Sequence, residues 1–336
     1  MSISVDPVVH DHQPTTVEIE SVVVGCAADN NYAMPLTVVA RSALENLSCN
    51  YKMQLFVIDG GITDMNKQKL KCSLDLNRCQ IEFIPKPDTW LVAIQDVLNY
   101  LSASTPTELQ HITASAVAYY RLFIAELLPP DIDRVIYLDC DLVVKDDLSN
   151  LWKADFNDTY VLAVQDMWVP YVSSMKGVPY QKLGILAGSK YFNSGMLVIN
   201  LQKWRSDGIT TKAIEYLKTY QQDIRAHDQD VLNGLFAGQW GELDPKWNLT
   251  PAIIDLFPSW QESPFSEEVY QRLIDSPSII HFATNRKPWN SRHTLFKDAF
   301  FEYVDKTAWS GWRLTFWRRL KLSMTREHKK FLSRFK

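Results

Sequence analysis

The sequence predicts an α/β protein built on a mostly parallel sheet flanked by helices. Three observations carry that expectation. Short apolar runs rich in Val, Ile and Leu recur along the chain, and helical stretches separate the early ones. At 336 residues, 46% of them hydrophobic, the chain is long enough to bury a large core. Several of the runs end on Asp or Asn, and an open α/β sheet binds ligands beyond the carboxyl ends of its strands.

The elements follow in order. "SVVVGCAA", from Ser21, is a first strand, and a helix with one apolar face runs from Pro35 to Leu47. "MQLFVIDGG" is a second strand ending in Asp59 and a Gly-Gly turn. "TDMNKQKLKCSLDL" reads as a helix with Thr63 as its capping residue. "CQIEFIP" is a third strand. The helical region "TASAVAYYRLFIAELLP" stops at Pro129 and Pro130 and leads into "VIYLDCDLVV", an apolar strand carrying Asp139 and Asp141. "TYVLAVQD", "YFNSGMLVINL" and "SIIHFA" are later strands, and "DQDVLNGLFAG" is a helix closed by Gly238. The strand that starts near Asn193 is expected to run antiparallel. The long stretch between Met167 and Lys190, bearing Trp and Tyr, is expected to be a loop that covers an acceptor.

Composition narrows the function. A net charge of −4 gives no global attraction to nucleic acid. No apolar run approaches the ~20 residues of a membrane-spanning helix. Five cysteines without a CxxC pair suit reduced thiols and a cytoplasmic setting. Residues 1–20 are polar, lack the apolar core of a signal peptide and read as a disordered arm. The triplets at Asn46, Asn157 and Asn248 are then chance matches to a glycosylation pattern. Residues 21–305 form one α/β domain. Residues 306–336 form a basic tail with ten Lys or Arg and one Glu, a net of plus nine with His328 neutral. Trp309, Trp312, Phe316, Trp317, Phe331 and Phe335 are interleaved with those charges. Basic residues interleaved with aromatics suit peripheral attachment to an anionic membrane surface. The competing reading is a tail packed on the body.

Alternate residues of a strand share a face, so Asp139 and Asp141 can approach one cation. Oxygen ligands select hard cations such as Mg²⁺ or Mn²⁺. His281, ending an apolar strand, completes an Asp, Asp, His set, and an imidazole favours Mn²⁺ over Mg²⁺. Lys287 supplies a charge for a phosphate beside the metal, with Arg286 as the competing candidate.

In the order "CAADNNYA", "YYRLFIAELLPPDIDRVIYLDCDLVV", "YFNSGMLVINLQKW", "HDQDVLNGLF" and "HFATNRKPW", the sequence resembles glycosyltransferase family 8, in particular its bacterial retaining lipopolysaccharide galactosyl- and glucosyltransferases. The resemblance implies a GT-A fold (Rossmann-like, nucleotide-sugar-binding) and a UDP-sugar donor, UDP-galactose or UDP-glucose. It implies Mn²⁺, with Mg²⁺ as the alternative, on Asp139, Asp141 and His281. Ala27, Asp29 and Asn31 are then expected at the uridine end, and Arg121 and Asn193 at the donor sugar. Asp228 and Gln229 are expected beneath the sugar, Lys287 on the diphosphate, and Asp166 toward a glycan or lipid-linked glycan acceptor. The basic tail resembles the membrane-associating end of the same enzymes. Two departures stand out. The stretch before Arg121 is long, which leaves His111 unassigned, and Thr284 stands where a glycine is common.

The implied reaction retains anomeric configuration. A neutral amide such as Gln229 is a poor nucleophile, and Asp228 is the carboxylate that a double displacement would need. Front-face attack is therefore favoured. Two other readings stay open on sequence: a non-catalytic nucleotide-sugar-binding or membrane-docking protein, and an Asp-x-Asp phosphatase. The phosphatase pattern normally opens its chain and is followed by a Gly-Asp motif, and neither holds here.

Overall fold

The computed structural model of the chain describes residues 20–104 and 116–318, together with 320 and 324. Most of the N-terminal arm, His111 and most of the basic tail lie outside the described residues.

The strands are β1 (Glu20–Ala28), β2 (Tyr51–Asp59), β3 (Cys79–Pro85), β4 (Arg134–Leu138), β5 (Leu142–Val144), β6 (Val161–Gln165), β7 (Phe192–Asn200), β8 (Gly241–Glu242) and β9 (Ile279–His281). Seven of them form one sheet in the order β3-β2-β1-β4-β7-β6-β8. β1, β2, β3 and β4 run parallel, and β7 runs antiparallel to β4 and β6. The mostly parallel α/β expectation therefore holds. β7 carries its N-terminal end to the rim where β1 and β4 finish, which is how Asn193 joins the residues beyond those strands.

Both faces of the sheet are covered, as parallel sheets require. Val22, Val24, Cys26 and Ala28 of β1 face a core with Leu36, Val39, Ala40 and Ala43 of the helix Ala33–Asn46. Val23 and Ala27 point the other way, into a core with Tyr119, Phe123, Trp204, Leu217 and Phe236. The period-two alternation within the Val run decides which residue goes to which core.

Two sequence expectations need correcting. "VIYLDCDLVV" is not one strand. β4 ends at Leu138 and β5 belongs to a separate two-stranded sheet with β9. The Asp139 N–H still bonds the Gly195 carbonyl of β7 at 2.8 Å, whereas the Asp141 carbonyl accepts from Phe282 beyond β9 at 2.9 Å. Asp139–Asp141 is thus the turn at which the chain leaves one sheet for another. Apolar patterning cannot reveal such a switch, because both halves are buried. Thr63 precedes its helix but makes no side-chain cap. Its hydroxyl donates instead to Asn30 Oδ1 at 3.1 Å, tying that helix to the loop after β1.

Candidate functional site

In the strand order β3-β2-β1-β4 the chain steps outward from β1 to β2 and β3 and then crosses back to β4 on the other side of β1; such a switch point is where open sheets bind ligands. A cavity of about 190 Å³ opens there, lined by Ala27, Asp29, Tyr32, Arg121, Tyr137, Asp139 and Asp141, among others. A larger cavity of about 480 Å³ lies by the opposite ends of β1–β3, among Lys52, Gln54 and Asn77, and none of the described residues lining it is an Asp, Glu or His.

The turn after β4 and the β5–β9 pairing bring Asp139, Asp141 and His281 together. Leu142 lies opposite His281 in the ladder, so Asp141 is one residue from the imidazole's partner. One ligand atom from each of the three residues falls within 4.8 Å of the others. His281 Nε2 stands 3.3 Å from Asp141 Oδ1 and 3.9 Å from Asp139 Oδ2. Its other nitrogen, Nδ1, lies 2.9 Å from Asn248 Oδ1. A part-exposed carboxylate, a buried one and a buried imidazole nitrogen, close enough to share one ligand point, fit a divalent ion of the Mn²⁺ kind. The intervening Cys140 is no ligand: its thiol donates to the Ala27 carbonyl, and burial pushes its pKa well above the ordinary value.

Cations flank this set. Arg121, almost wholly buried, bonds Asp139 at 2.7 Å and Asp228 at 2.9 Å, and its guanidinium lies over the Tyr137 ring. Lys287 reaches Asp141 Oδ2 and the Phe282 carbonyl. The two carboxylates of this set therefore differ. Burial pushes Asp139 above the ordinary range, only partly offset by Arg121, with Asp141 adding to the rise. Burial also penalises charge on Asp141, but Lys287 and His281 outweigh it and hold that carboxyl below the ordinary range. Asp228 is pushed up by burial against the pull of Arg121.

The other expected residues fall around the cleft. Asp29 caps the single turn Asn30–Tyr32, accepting from the Asn31 N–H at 2.9 Å and the Tyr32 N–H at 3.2 Å. Asn31 is exposed and donates its side-chain amide to Asp29. Asp228 and Gln229 open the helix Asp228–Phe236. Gln229 Oε1 accepts from the Ser194 N–H at 2.9 Å, and its Nε2 donates to Asp166 Oδ2 at 3.1 Å. Asp166 also accepts from Asn193 Nδ2 at 2.9 Å and from the Trp168 and Val169 N–H groups. Asp166 is thus a buried hub with four donors. Arg286 is exposed and stands 4.0 Å from Asp255, so the buried cation at Asp141 is Lys287.

Sequence reasoning missed Tyr32, Ser194, Gly195 and Asn248. Tyr32 lay inside the block "CAADNNYA", and its ring meets Trp289 edge-on at 5.9 Å. Gly195 is required for packing, because a Cβ there would run into the His281 ring. Asn248 carried a misleading signal, the triplet "NLT", yet it is buried at 4% exposure. At the start of the tail, Trp309 and Trp312 pack against the body and Arg313 pairs with Asp305 at 2.6 Å, whereas Phe316 and Trp317 are exposed. No helix among the described residues is long and apolar enough to cross a membrane.

Comparison with known proteins agrees with this geometry. General stress protein A of Bacillus subtilis (strain 168) is 33% identical over 293 residues, spanning 86% of this chain and 94% of that one. The lipopolysaccharide 1,2-glucosyltransferase of Escherichia coli (strain K12) is 32% identical over 179 residues, 52% of this chain and 50% of its own length. Among solved structures, the galactosyltransferase LgtC in complex with donor and acceptor sugar analogs superposes with a TM-score of 0.68 at 29% identity, covering 85% of this chain and 96% of that one. The fold is GT-A. The profile of Glycosyl transferase family 8 matches residues 23–293. Every block that carried the resemblance, from Cys26 to Trp289, lies within that span, and a phosphatase reading does not survive it: the chain belongs to glycosyltransferase family 8.

Proposed function

We propose that the protein transfers a hexose, galactose or glucose, from a UDP-sugar to a hydroxyl of a cell-surface glycan such as lipopolysaccharide, with retention of anomeric configuration and dependence on a divalent metal. The carrying observation is the convergence of Asp139, Asp141 and His281 at the mouth of the switch-point cleft, with Lys287 beside them. Asp139, Asp141 and His281 would hold a Mn²⁺ ion, which would supply a Lewis acid for the negative charge that develops on the diphosphate as the anomeric bond breaks. Lys287 adds a second positive charge on that side, so the leaving group departs without a proton.

The remaining residues bind and orient. Ala27, Asp29 and Tyr32 line the cleft and, with the exposed Asn31 bonded to Asp29, suit the uridine. Arg121 holds Asp139 and Asp228 in place, and Asn193, Asp228 and Gln229 form the floor for the donor sugar. Gln229 is an amide whose oxygen is already engaged by Ser194, and Asp228 is engaged by Arg121 and the Ser194 hydroxyl. An amide is a poor nucleophile and the Asp228 carboxylate is tied to Arg121 through Oδ2, which favours attack from the leaving-group face, the departing phosphate oxygen taking the acceptor's proton. Asp166 and the Trp168-bearing loop lie on the acceptor side. The basic tail is read as an attachment to an anionic membrane surface, which would bring the cleft near a lipid-linked acceptor at the cytoplasmic face.

A donor screen by UDP release, with and without Mn²⁺, tests this reading. Release from UDP-galactose or UDP-glucose that vanishes in a chelator is expected, as is its loss in Asp139→Asn and Asp141→Asn. Full turnover in the chelator would refute the metal role. Product NMR should show an α linkage from the α-linked donor, and a β linkage would refute retention.

A further inference from the structure

Asn248 ends the short turn Pro245–Asn248 and is followed by Leu249, whose N–H and carbonyl bond Ile279 and His281 of β9 at 2.9 and 2.7 Å. The backbone thus fixes Asn248 alongside the strand that carries the histidine ligand. Its side chain then bridges two site residues. Nδ2 donates to Asn193 Oδ1 at 3.0 Å, and Oδ1 lies 2.9 Å from His281 Nδ1.

An amide can in principle be turned end for end, so the direction of this bridge has to be earned from its neighbours. Asp166 settles it at the far end. An ionised carboxylate only accepts, so the Asn193 atom 2.9 Å from Asp166 Oδ2 is its NH₂. Gly195 gives an independent check, since its backbone N–H only donates and it meets the other end of Asn193, the oxygen, at 3.0 Å. With Asn193 oriented twice over, the Asn248 atom facing its oxygen must be the NH₂. The Asn248 oxygen therefore faces His281 and demands a proton on Nδ1. In the neutral ring, Nε2 then carries the lone pair, and it points at Asp141 and Asp139.

We infer that Asn248 is a positioning residue for the metal centre, holding His281 in the Nδ1–H tautomer and so presenting Nε2 as a ligand, with the polarity of the bridge set by the Asp166–Asn193 pair. A hydrogen bond to the non-ligating nitrogen of a metal-binding imidazole is a general way to fix both tautomer and ring angle. Gly195 supplies the complementary restraint, since the ring packs where its Cβ would be. The inference rests on the proposed metal role of Asp139, Asp141 and His281. It adds a connection between the metal side of the cleft and the Asp166 hub on the acceptor side.

The test is Mn²⁺ binding to the full-length, nucleotide-free protein, read from the EPR signal of the free ion, so no turnover is needed. Asn248→Leu keeps the volume but accepts nothing from Nδ1, and its affinity should fall about 10- to 100-fold. Asn248→Asp keeps an acceptor toward Nδ1–H, and its affinity should stay within about threefold of the parent. In a His281→Gln background the Asn248→Leu effect should disappear, because it acts through the ring. Thermal midpoints confirm that each variant is folded. Unchanged binding in Asn248→Leu, an equal loss in Asn248→Asp, or a full Leu effect without His281 would each overturn the inference while leaving the metal site standing. A parent protein that binds no Mn²⁺ would overturn both.

Discussion

Replacing Arg121 with Met should cost about 3 kcal/mol of stability, and the cost should depend on pH in a definite direction. Arg121 is 4% exposed and is the shared partner of Asp139 and Asp228. Met removes the charge but retains most of the volume. Breaking a buried ion pair by deleting one partner typically costs about 3–5 kcal/mol, because the other charge is left unpaired. Asp228, with 6% of its side chain exposed, should bear the full penalty, whereas Asp139, with 26% exposed, regains some hydration. The lower end of the range is therefore expected. Both carboxyls already have folded-state pKa values raised by burial, and loss of the guanidinium raises them further. A raised carboxyl pKa means that the folded state holds its proton more tightly than the unfolded chain. Its penalty is absent below the unfolded value, about 3.9, grows as pH rises toward the folded value and is constant above it. The deficit of Arg121→Met should thus be small near pH ~4 and largest at about pH 8. Urea unfolding in a chelator, at several pH values, measures it. A deficit below about 1 kcal/mol at the alkaline end, or one that shrinks as pH rises, would show that the two acids do not depend on Arg121.

Other outcomes follow from the same site and from the tail. Gly195→Ala should displace the His281 ring and weaken Mn²⁺ binding at least about tenfold by calorimetry, and parent-like affinity would contradict the packing argument. Truncation after Asp305 should lower the thermal midpoint, because Trp309 and Trp312 leave the core they pack on. Truncation after Thr315 should leave the midpoint unchanged but abolish sedimentation with anionic liposomes at low salt, the binding proposed for the basic residues it removes. Equal pelleting of that truncated form would refute membrane attachment through the tail. Added salt should release the full-length protein, since exposed charges are screened.

The fold was legible because its signals are local. The Val run of β1 and the strand "MQLFVID" need no partner to be recognised. What stayed hidden depends on pairing. "VIYLDCDLVV" is uniformly apolar around its acids, so periodicity could not show that the chain changes sheets between Leu138 and Leu142. The short strand β8 has only two residues, too few for any pattern. In the site, residue types that advertise chemistry, such as Asp139, Asp141, His281 and Lys287, were visible. Those whose role is to orient were not. Gly195 and Asn248 are ordinary in sequence, and their orienting contacts are made at long range: Gly195 with the His281 ring, and Asn248 with His281 and Asn193, 33 and 55 residues away.

That division has a physical origin. Asp139 and Asp141 are two residues apart, yet the turn gives them different surroundings. Asp139 remains in the ladder of β7 and looks toward Arg121 and Asp228; burial raises its pKa, Arg121 opposes the rise and the neighbouring carboxylates add to it. Asp141 belongs to the β5–β9 layer and meets Lys287 and His281, which keep it ionised. A pair of carboxylates on one continuous strand would share one environment and repel each other equally. Splitting them between two sheets gives the cleft one carboxylate that stays charged and a second whose charge Arg121 supports. A dication reaching that point relieves the repulsion between them, and this relief should strengthen its binding. The neutralising groups come from residues 121 and 287, on opposite sides of the pair in sequence. The sheet switch, rather than the Asp-x-Asp spacing, is therefore what turns two nearby acids into a candidate ligand set.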